Sequence, residues 1–249
     1  ITTMYKGSLV KYYDDLYEGK DYSRECSFIT DHCHLKKTLD IGCGTGTHLK
    51  KLHKHGSEFY GIDISSEAIE IAQGKFAATD APYFEVCRVE GFTKTSEFDT
   101  IISMFNVVNH ILDLGELESY FAKTSSLLGS GGTFIFDCFN GAAVFKDAPR
   151  NINKVISSPL SQNTYSISST ALFTPMTAFL KLTHTVDIIH RGEKTDKFTY
   201  NLEHRIWMPS LLKSLAEKYN MKVEKIVAHS NYKRGATAKD YKISFICKK

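Results

Sequence analysis

Short apolar runs and amphipathic stretches alternate between Lys37 and Asn140. The apolar runs are TLDIG, EFYGIDIS, YFEVCRV, FDTIISMFN and GGTFIFDCF, and the intervening stretches, such as THLKKLHKHG and SEAIEIAQGKFAA, repeat hydrophobic residues at helical spacing. Short strands that alternate with helices predict a parallel sheet with crossover helices on its faces. The predicted fold class is therefore α/β, with a doubly wound sheet.

The chain beyond Asn140 has a different pattern. NGAAVFKDAPRNINKVI has the composition of a loop, and FLKLTHTVDIIHRGEKTDKFTYNLEHRIW indicates two β stretches around a polar RGEKTD turn. This part of the chain therefore predicts an antiparallel hairpin laid beside the main sheet. MPSLLKSLAEKYN then predicts a helix that begins near Pro209, and MKVEKIVAHS and DYKISFICKK predict closing strands.

Composition and charge narrow the class of protein. The chain has 249 residues, 42% hydrophobic and 24% charged, with a net charge of +3 and lysines that are scattered along it, so we expect no nucleic-acid partner. No apolar run approaches the roughly 18 residues of a membrane span, and no signal peptide is recognisable, so we expect a cytoplasmic protein without membrane association. The six cysteines form no C-x-x-C pair and DHCHL lacks a second ligand pair, so we expect free thiols and no metal site. A monomer or a homodimer is expected.

The first strand ends in a turn with three glycines at alternate positions, Gly42, Gly44 and Gly46. Glycine has no Cβ, so a turn of this kind between a strand and a helix lets the backbone approach a nucleotide closely. The dinucleotide fingerprint requires a glycine at the sixth position, which is Thr47 here, and no Gly-Lys-Ser/Thr follows for a Walker loop. The turn therefore fits neither of those two classes of nucleotide site.

Two acidic residues indicate the ligand. Asp40 precedes the first glycine by two residues, where its charge would repel a pyrophosphate and attract a cationic amino group. Asp63 ends the next predicted strand and is placed to accept hydrogen bonds from the hydroxyls of a ribose. Together they describe an amino acid joined to a nucleoside without phosphate, which is S-adenosylmethionine.

At LDIGCGTG and GIDIS the sequence resembles the class I S-adenosylmethionine-dependent methyltransferases. This resemblance implies a Rossmann-like, mostly parallel seven-stranded sheet with helices on both faces, and S-adenosylhomocysteine as the product. One domain is then expected over residues 1–249. Its segments are an N-terminal helical lid (1–36), a cofactor-binding core (37–140), an antiparallel insertion that covers the active site (141–207), and a closing helix and strands (208–249).

The resemblance implies contacts at both ends of the cofactor. Residues matching Asp40, Gly42, Cys43 and Gly44 line the methionine end in the family, and the acid matching Asp63 holds the ribose. Many relatives hold adenine with an acid after the third strand, but this chain has Arg88 at that position. Adenine would then be held by Glu90, or by the backbone of Val89 together with the ring of Phe92. The full set of expected cofactor contacts is Tyr22, Asp40, Gly42, Cys43, Gly44, Gly46, Asp63, Ile64, Val89, Glu90, Met104 and Phe105.

The opening segment KYYDDLYEGKDYSRE resembles that of small-molecule methyltransferases that act on amino sugars bound to nucleotides. The resemblance implies that Tyr22 caps the carboxylate of the cofactor and that the aromatic residues before it, Tyr12 and Tyr13, line the substrate entrance. The alternative is an amphipathic helix that packs its aromatic stripe on the core, which we favour for Tyr17. TFIFDCFNGAAVFKDAPR and NLEHRIWMPSLLKSL also resemble a bacterial branch that tailors polysaccharides or natural products.

Candidate acceptor-facing residues follow the fourth and fifth strands and lie in the insertion. His110 is the candidate base because its unperturbed pKa is near neutrality, and a helical turn would bring Asn106 to the same face; a capping or surface histidine is the alternative. Asp137 either binds the acceptor or braces its turn, and Trp207 either stacks on a sugar or fills the junction between hairpin and helix. The expected catalytic set is His110, Asn106 and Tyr13, and the expected substrate set is Tyr12, Asn109, Asp137, Asn140, Glu203, His204 and Trp207.

The sequence thus predicts a methyltransferase that acts on nitrogen or oxygen of a small polar metabolite. A sugar or a nucleotide-linked amino sugar is the leading acceptor, and another small amine or a quinone-like acceptor is the alternative within enzymes. A non-catalytic module that binds the cofactor is the alternative outside enzymes. A nucleic-acid methyltransferase is disfavoured because no Asn/Asp-Pro-Pro-Tyr/Phe tetrapeptide follows the fourth strand.

Overall fold

Helices and strands alternate through the first 150 residues, and strands dominate the next 60. The computed structural model describes residues 7–56, 58–77, 81–94 and 97–249, so the first six residues of the expected lid lie outside the described residues. The helices are α1 (Ser8–Lys11), α2 (Tyr13–Leu16), α3 (Tyr22–His32), α4 (Thr47–Leu52), α5 (Ser66–Gly74), α6 (Leu114–Leu127), α7 (Gly141–Lys146) and α8 (Pro209–Lys218). The strands are β1 (Lys37–Ile41), β2 (Glu58–Asp63), β3 (Tyr83–Val86), β4 (Phe98–Ser103), β5 (Leu128–Phe139), β6 (Ile152–Ser158), β7 (Asn163–Thr174), β8 (Phe179–His190), β9 (Glu193–Arg205), β10 (Lys222–Ala228), β11 (Asn231–Gly235) and β12 (Lys242–Lys248). None of the helices in the described ranges is long and apolar enough to cross a membrane.

The larger sheet has the strand order β11-β10-β12-β5-β4-β1-β2-β3. The five strands from β3 to β5 are parallel, and β12, β10 and β11 are antiparallel to their neighbours. The predicted α/β class and the mostly parallel sheet are confirmed, but the predicted count of seven strands is wrong, because this sheet has eight. The additional strand, β11, is a short edge strand whose residues are mostly exposed, so no hydrophobic alternation marks it in the sequence.

The central strands are buried on both faces. Phe134 and Phe136 of β5 and Phe245 of β12 pack on one face, and the rings of Phe136 and Phe245 stack with centroids 4.6 Å apart. Ile135 of β5 packs on the other face with the residues of α3 and α4, including Leu49. This double burial explains the continuous apolar run of β5, which is typical of a strand covered by helices on both sides.

A second sheet of four antiparallel strands, in the order β6-β7-β8-β9, follows α7. The predicted antiparallel hairpin is confirmed as β8 and β9, but it is only half of this sheet. The segment that was expected to be a loop contains α7 and β6. The sequence did not predict β7, because the outer face of this strand carries serine and threonine in place of a clear hydrophobic alternation. The inner face of β7 holds Tyr165 and Ile167, which pack with Leu9 and Leu16 of the N-terminal helices.

Candidate active site

The glycine turn after β1 adopts a left-handed backbone at each of its three glycines. Gly42 has a φ of 73°, and a Cβ built on it would lie 2.6 Å from a methyl group of Val107. Gly46 has a φ of 75° and packs against Ala72 of α5, so it serves the contact between two helices. The backbone N–H groups of Gly42 and Cys43 donate to the carbonyl of Ile62 at 2.8 and 3.0 Å. The turn is therefore fastened to β2 and requires glycine on both steric and conformational grounds.

Asp63 ends β2 beside this turn. One carboxylate oxygen accepts a hydrogen bond from the backbone N–H of Gly44 at 2.8 Å, and the other accepts one from the N–H of Ser65 at 2.9 Å. Burial raises the pKa of Asp63 while these backbone hydrogen bonds oppose the rise. The carboxylate is thus fixed in orientation at the wall of a cavity.

Asp40 is 1% exposed, and its Oδ2 has no hydrogen-bond partner among the described residues. Burial, together with the nearby charge of Asp63, raises the pKa of Asp40 to about 8. A buried carboxyl group without a partner is costly unless a cation compensates it. The carboxyl group of Asp40 therefore fits a ligand that carries an ammonium group.

The cavity lies at the carboxyl ends of β1, β2 and β4, where parallel sheets bind ligands. The expected cofactor residues on its wall are Tyr22, Gly42, Cys43, Gly44, Asp63, Ile64, Val89, Glu90, Met104 and Phe105, and the expected acceptor residues on it are Tyr13 and His110. Asp40 and Gly46 do not line the cavity, so the direct contact expected from each is corrected: Asp40 is buried, and Gly46 packs against α5. Arg88 also lines the cavity and pairs with Glu116 at 3.3 Å.

Several residues on the wall were not predicted. They are Val10, Ile41, Thr45, Thr47, His48, Ile62, Ala68, Cys87, Val107, Ile111 and Tyr120. Thr45 and Thr47 lie inside the glycine turn, so their place in the motif was a usable signal. Tyr120 lies on α6, more than fifty residues from the turn, and no local pattern marks it.

The N-terminal helices contribute Val10, Tyr13 and Tyr22 to the cavity wall. Thr45 of the glycine turn donates to Asp14 of α2 at 2.6 Å, which ties the helix to the turn. The Tyr22 ring on the cavity wall lies 3.9 Å from the ammonium group of Lys20. Tyr13 lines the cavity, whereas the Tyr12 ring stacks on Phe198 of the second sheet. The structure thus brings Tyr13 to the cavity and directs Tyr12 into the packing between the helices and the sheet.

The predicted pairing of Asn106 and His110 on one helical face is wrong. Val107–His110 is a 3-10 helix, in which residues four apart do not align, and Asn106 precedes it with a φ of 63°. His110 lines the cavity, and its ring lies 4.4 Å from that of His204. Burial lowers the pKa of His110 to about 4 against a hydrogen bond to the backbone of Glu203. His110 is therefore neutral at physiological pH, and it is a weaker base than its unperturbed pKa predicts.

Three of the expected substrate residues hold the fold together. The side chain of Asn109 donates to the carbonyl of Arg205 at 2.8 Å and accepts from the N–H of Phe139 at 2.9 Å, so it joins β5 to β9. Asn140 caps α7 and donates to two carbonyls of the turn that precedes β12. Asp137 is fully buried and accepts from the backbone N–H of Asn106 at 2.5 Å. The expectation that Asn109 and Asn140 face an acceptor is therefore wrong. Of the two roles expected for Asp137, the structure agrees with the one in which this residue braces its turn.

The remaining expected substrate residues lie around the junction of β9 and α8. Trp207 is 5% exposed, and its indole N–H donates to the carbonyl of Val108 at 3.2 Å, so it fills this junction. Glu203 faces outward and pairs with Lys181 at 3.4 Å. His204 is buried against Phe139. The side chain of His204 therefore adjoins the cavity wall through its contact with His110.

A buried polar cluster that the sequence did not predict centres on Glu25 of α3. This carboxylate is 2% exposed and binds the Nε2 atoms of His48 at 2.7 Å and of His229 at 3.1 Å, and the ammonium group of Lys20. Burial raises the pKa of Glu25, but the hydrogen bonds from both histidines outweigh it and hold that pKa well below its usual range. Glu25, Asp137 and His229 place potential metal ligands within 4.8 Å of one another, but Lys20 already supplies a cation to this cluster.

Comparison with known proteins agrees with this geometry. Residues 38–132 match the methyltransferase domain family. A relative from Streptomyces venezuelae, a dTDP-3-amino-3,4,6-trideoxy-alpha-D-glucopyranose N,N-dimethyltransferase, is 28% identical over 141 residues, which cover 54% of this chain and 58% of the relative. The chain spans about three fifths of the first curated relatives that it matches.

Solved structures agree with the fold over the whole chain. DesVI from Streptomyces venezuelae superposes with a TM-score of 0.81 at 19% identity, covering 98% of this chain and 99% of that one. An S-adenosylmethionine-dependent methyltransferase from Clostridium acetobutylicum gives 0.80 at 20% identity, with 96% of both chains covered. Asp40, Asp63 and the glycine turn fit S-adenosylmethionine, the cofactor of the matched family. Residues 38–132 thus match the methyltransferase domain family, and the whole chain shares its fold with the two solved methyltransferases.

Proposed function

We propose that the protein transfers a methyl group from S-adenosylmethionine to the amino nitrogen of a small sugar, with a nucleotide-linked amino sugar as the leading acceptor. One observation carries the proposal: Asp63, the candidate ribose ligand, lines the same cavity as Tyr13 and His110, the candidate acceptor residues. The 28% identity to an amino-sugar N,N-dimethyltransferase supports the choice of acceptor.

The proposed cofactor contacts follow from the chemistry of the wall. Asp63 accepts hydrogen bonds from the ribose hydroxyls, because its carboxylate is held at the cavity by Gly44 and Ser65. Asp40 compensates the charge of the amino group from behind the glycine turn. We assign adenine to Glu90 and Val89, which both line the cavity. Bound S-adenosylmethionine supplies a methyl group that its sulfonium already activates.

The proposed acceptor contacts involve no strong base. An amine attacks only as the neutral species, and its lone pair must be oriented towards the methyl carbon. His110 is neutral because burial lowers its pKa to about 4, so it accepts a hydrogen bond from an N–H and fixes that orientation. Tyr13 lies on the same wall and contacts Tyr17, with ring centroids 4.7 Å apart. Positioning and exclusion of water by this aromatic wall are the main contributions of the chain.

The first test is calorimetric titration of the protein with S-adenosylhomocysteine, repeated on Asp63→Ala and on Asp31→Ala as a control at an exposed acid of α3. We expect Asp63→Ala to weaken binding at least tenfold, or by about 1.4 kcal/mol, and Asp31→Ala to leave it unchanged. Equal binding by the three proteins would remove the assignment of Asp63 to the ribose.

The second test is methyl transfer to nucleotide-linked amino sugars, followed by mass spectrometry. A methylated amine as the product supports the proposal. Transfer only to a catechol or quinol oxygen would support the quinone-like alternative. Tight binding of S-adenosylhomocysteine without transfer to any of these acceptors would favour a non-catalytic binding module.

A further inference from the structure

Two lysines lie against the same aromatic ring of the cavity wall. The ammonium groups of Lys20, from the turn before α3, and of Lys242, at the start of β12, are each 4.9 Å from the centroid of Phe105. They are therefore at most twice that distance apart. Phe105 itself lines the cavity, and the two cations, which come from opposite ends of the chain, both contact its ring.

The two lysines differ in how their charges are neutralised. Lys20 pairs with Glu25, and its side chain is 13% exposed. Lys242 is half-buried, and no carboxylate lies within ion-pair distance of it among the residues that the structure describes. Its ammonium group has only the Phe105 ring as a described contact, which leaves its three N–H donors available to a ligand.

The acidic groups near Lys242 do not form an ion pair with its ammonium group. Asp137 lies two residue pairs along the β5–β12 ladder from Lys242, but it is fully buried and one of its oxygens accepts a hydrogen bond from the N–H of Asn106. Glu25 is committed to Lys20, His48 and His229. Repulsion from Lys242 also contributes to a lowered pKa of Lys20, after the larger effect of burial. A bound anion would relieve this repulsion between the two cations.

We propose that Lys242, assisted by Lys20, forms an anion-binding subsite beside Phe105 that takes the diphosphate of a nucleotide-linked acceptor. The inference rests on the proposed function for the identity of the acceptor. A diphosphate presents oxygens on two phosphorus atoms, so it spans two separated ammonium groups, which a single carboxylate does less well. The subsite would hold the acceptor outside the cofactor end and present its sugar to His110.

The test uses Lys242→Gln, which keeps the length and polarity of the side chain while removing its charge. Lys239→Gln is the matched control, because Lys239 is exposed and lies three residues earlier in the same connection. Each protein, saturated with S-adenosylhomocysteine, is titrated with inorganic pyrophosphate and, separately, with succinate. Affinity for S-adenosylhomocysteine itself verifies that each variant is folded.

We expect Lys242→Gln to weaken pyrophosphate binding at least tenfold, with Lys239→Gln and the affinity for S-adenosylhomocysteine unchanged. Absence of pyrophosphate binding by the wild type, or equal binding by Lys242→Gln, would overturn the subsite. Succinate that binds more tightly than pyrophosphate would overturn the diphosphate assignment in favour of a carboxylate acceptor.

Kinetics separate this inference from the proposed function. With a nucleotide-linked amino sugar as acceptor, Lys242→Gln should raise KM and leave kcat near the wild-type value, because the lysine binds a part of the acceptor remote from the nitrogen. If amino sugars are not methylated but pyrophosphate binding still depends on Lys242, the subsite stands and the proposed acceptor is wrong. If they are methylated with a KM that Lys242→Gln does not change, the subsite is wrong and the proposed function stands.

Discussion

Binding of the cofactor product should depend on pH through Asp40. The carboxyl group of Asp40 is 1% exposed, and its pKa is raised to about 8 by burial and by Asp63. At pH 7 only about one molecule in ten then carries the ionised carboxylate before a ligand binds. A ligand with an ammonium group near Asp40 favours the carboxylate, so binding should release a proton.

The size of the effect follows from the pKa. Because the pKa of Asp40 falls when a cation binds, affinity is greatest above pH 8 and declines as the pH is lowered below it. Each unit below pH 8 costs about 1.4 kcal/mol of binding free energy, or a factor of ten in Kd, until the pKa of the complex is reached. Lowering the pH from about 7 to about 6 should therefore weaken the binding of S-adenosylhomocysteine about tenfold.

Calorimetric titration with S-adenosylhomocysteine over this pH range, in two buffers of different ionisation enthalpy, measures both the affinity and the number of protons released. Asp40→Asn should abolish the pH dependence and the proton release, while Asp31→Asn, at an exposed position of α3, should preserve both. A wild-type affinity that does not change with pH, or a slope that persists in Asp40→Asn, would refute the assignment of a raised pKa to Asp40.

Three further predictions concern the site and its support. Gly42→Ala should lower the free energy of unfolding by at least about 1 kcal/mol, because the new methyl group would meet Val107 at 2.6 Å and the φ of 73° disfavours alanine. Urea denaturation measures this change, and an unchanged denaturation midpoint would contradict the prediction. Trp207→Phe should cost about 1 kcal/mol through loss of the 3.2 Å hydrogen bond to Val108, and thermal melting should detect it. His110→Gln should lower kcat but keep the shape of the pH–rate profile above about pH 6, because a histidine with a pKa of about 4 is already neutral there; loss of an acidic limb near neutrality in the variant would mean that His110 titrates normally.

The sequence predicted that the glycine turn and Asp63 lie close together, because the two are near each other in the chain. The glycine turn and Asp63 are about twenty residues apart, and the parallel register of β1 and β2 brings them together wherever this pattern folds. The unusual backbone of Gly42 could be inferred from residue type alone, since few other residues adopt a positive φ at low cost. The motif could not distinguish contact from packing, so Gly46 was assigned to the ligand although it supports α5.

Other buried polar residues meet through contacts between distant parts of the chain. Glu25, His48 and His229 meet in one buried cluster although 23 and 204 residues separate Glu25 from its partners, and none of the three stands in a recognisable motif. Asn109 looked like an acceptor ligand because it follows a strand, but its amide is fully used in joining β5 to β9. A polar residue at a strand end indicates an available hydrogen-bonding group, and only the tertiary structure shows which partner uses it.

The chain leaves the main sheet for the second sheet and returns to it at nearly the same point. A Cβ built on Gly141, at the start of α7, would lie 2.7 Å from the carbonyl oxygen of Trp207, just before α8. The two ends of the segment between these positions therefore lie next to each other. We therefore expect that residues 142–206 can be exchanged as one unit without displacing β5 or α8, provided that the residue at position 141 remains glycine, because a Cβ there would meet Trp207.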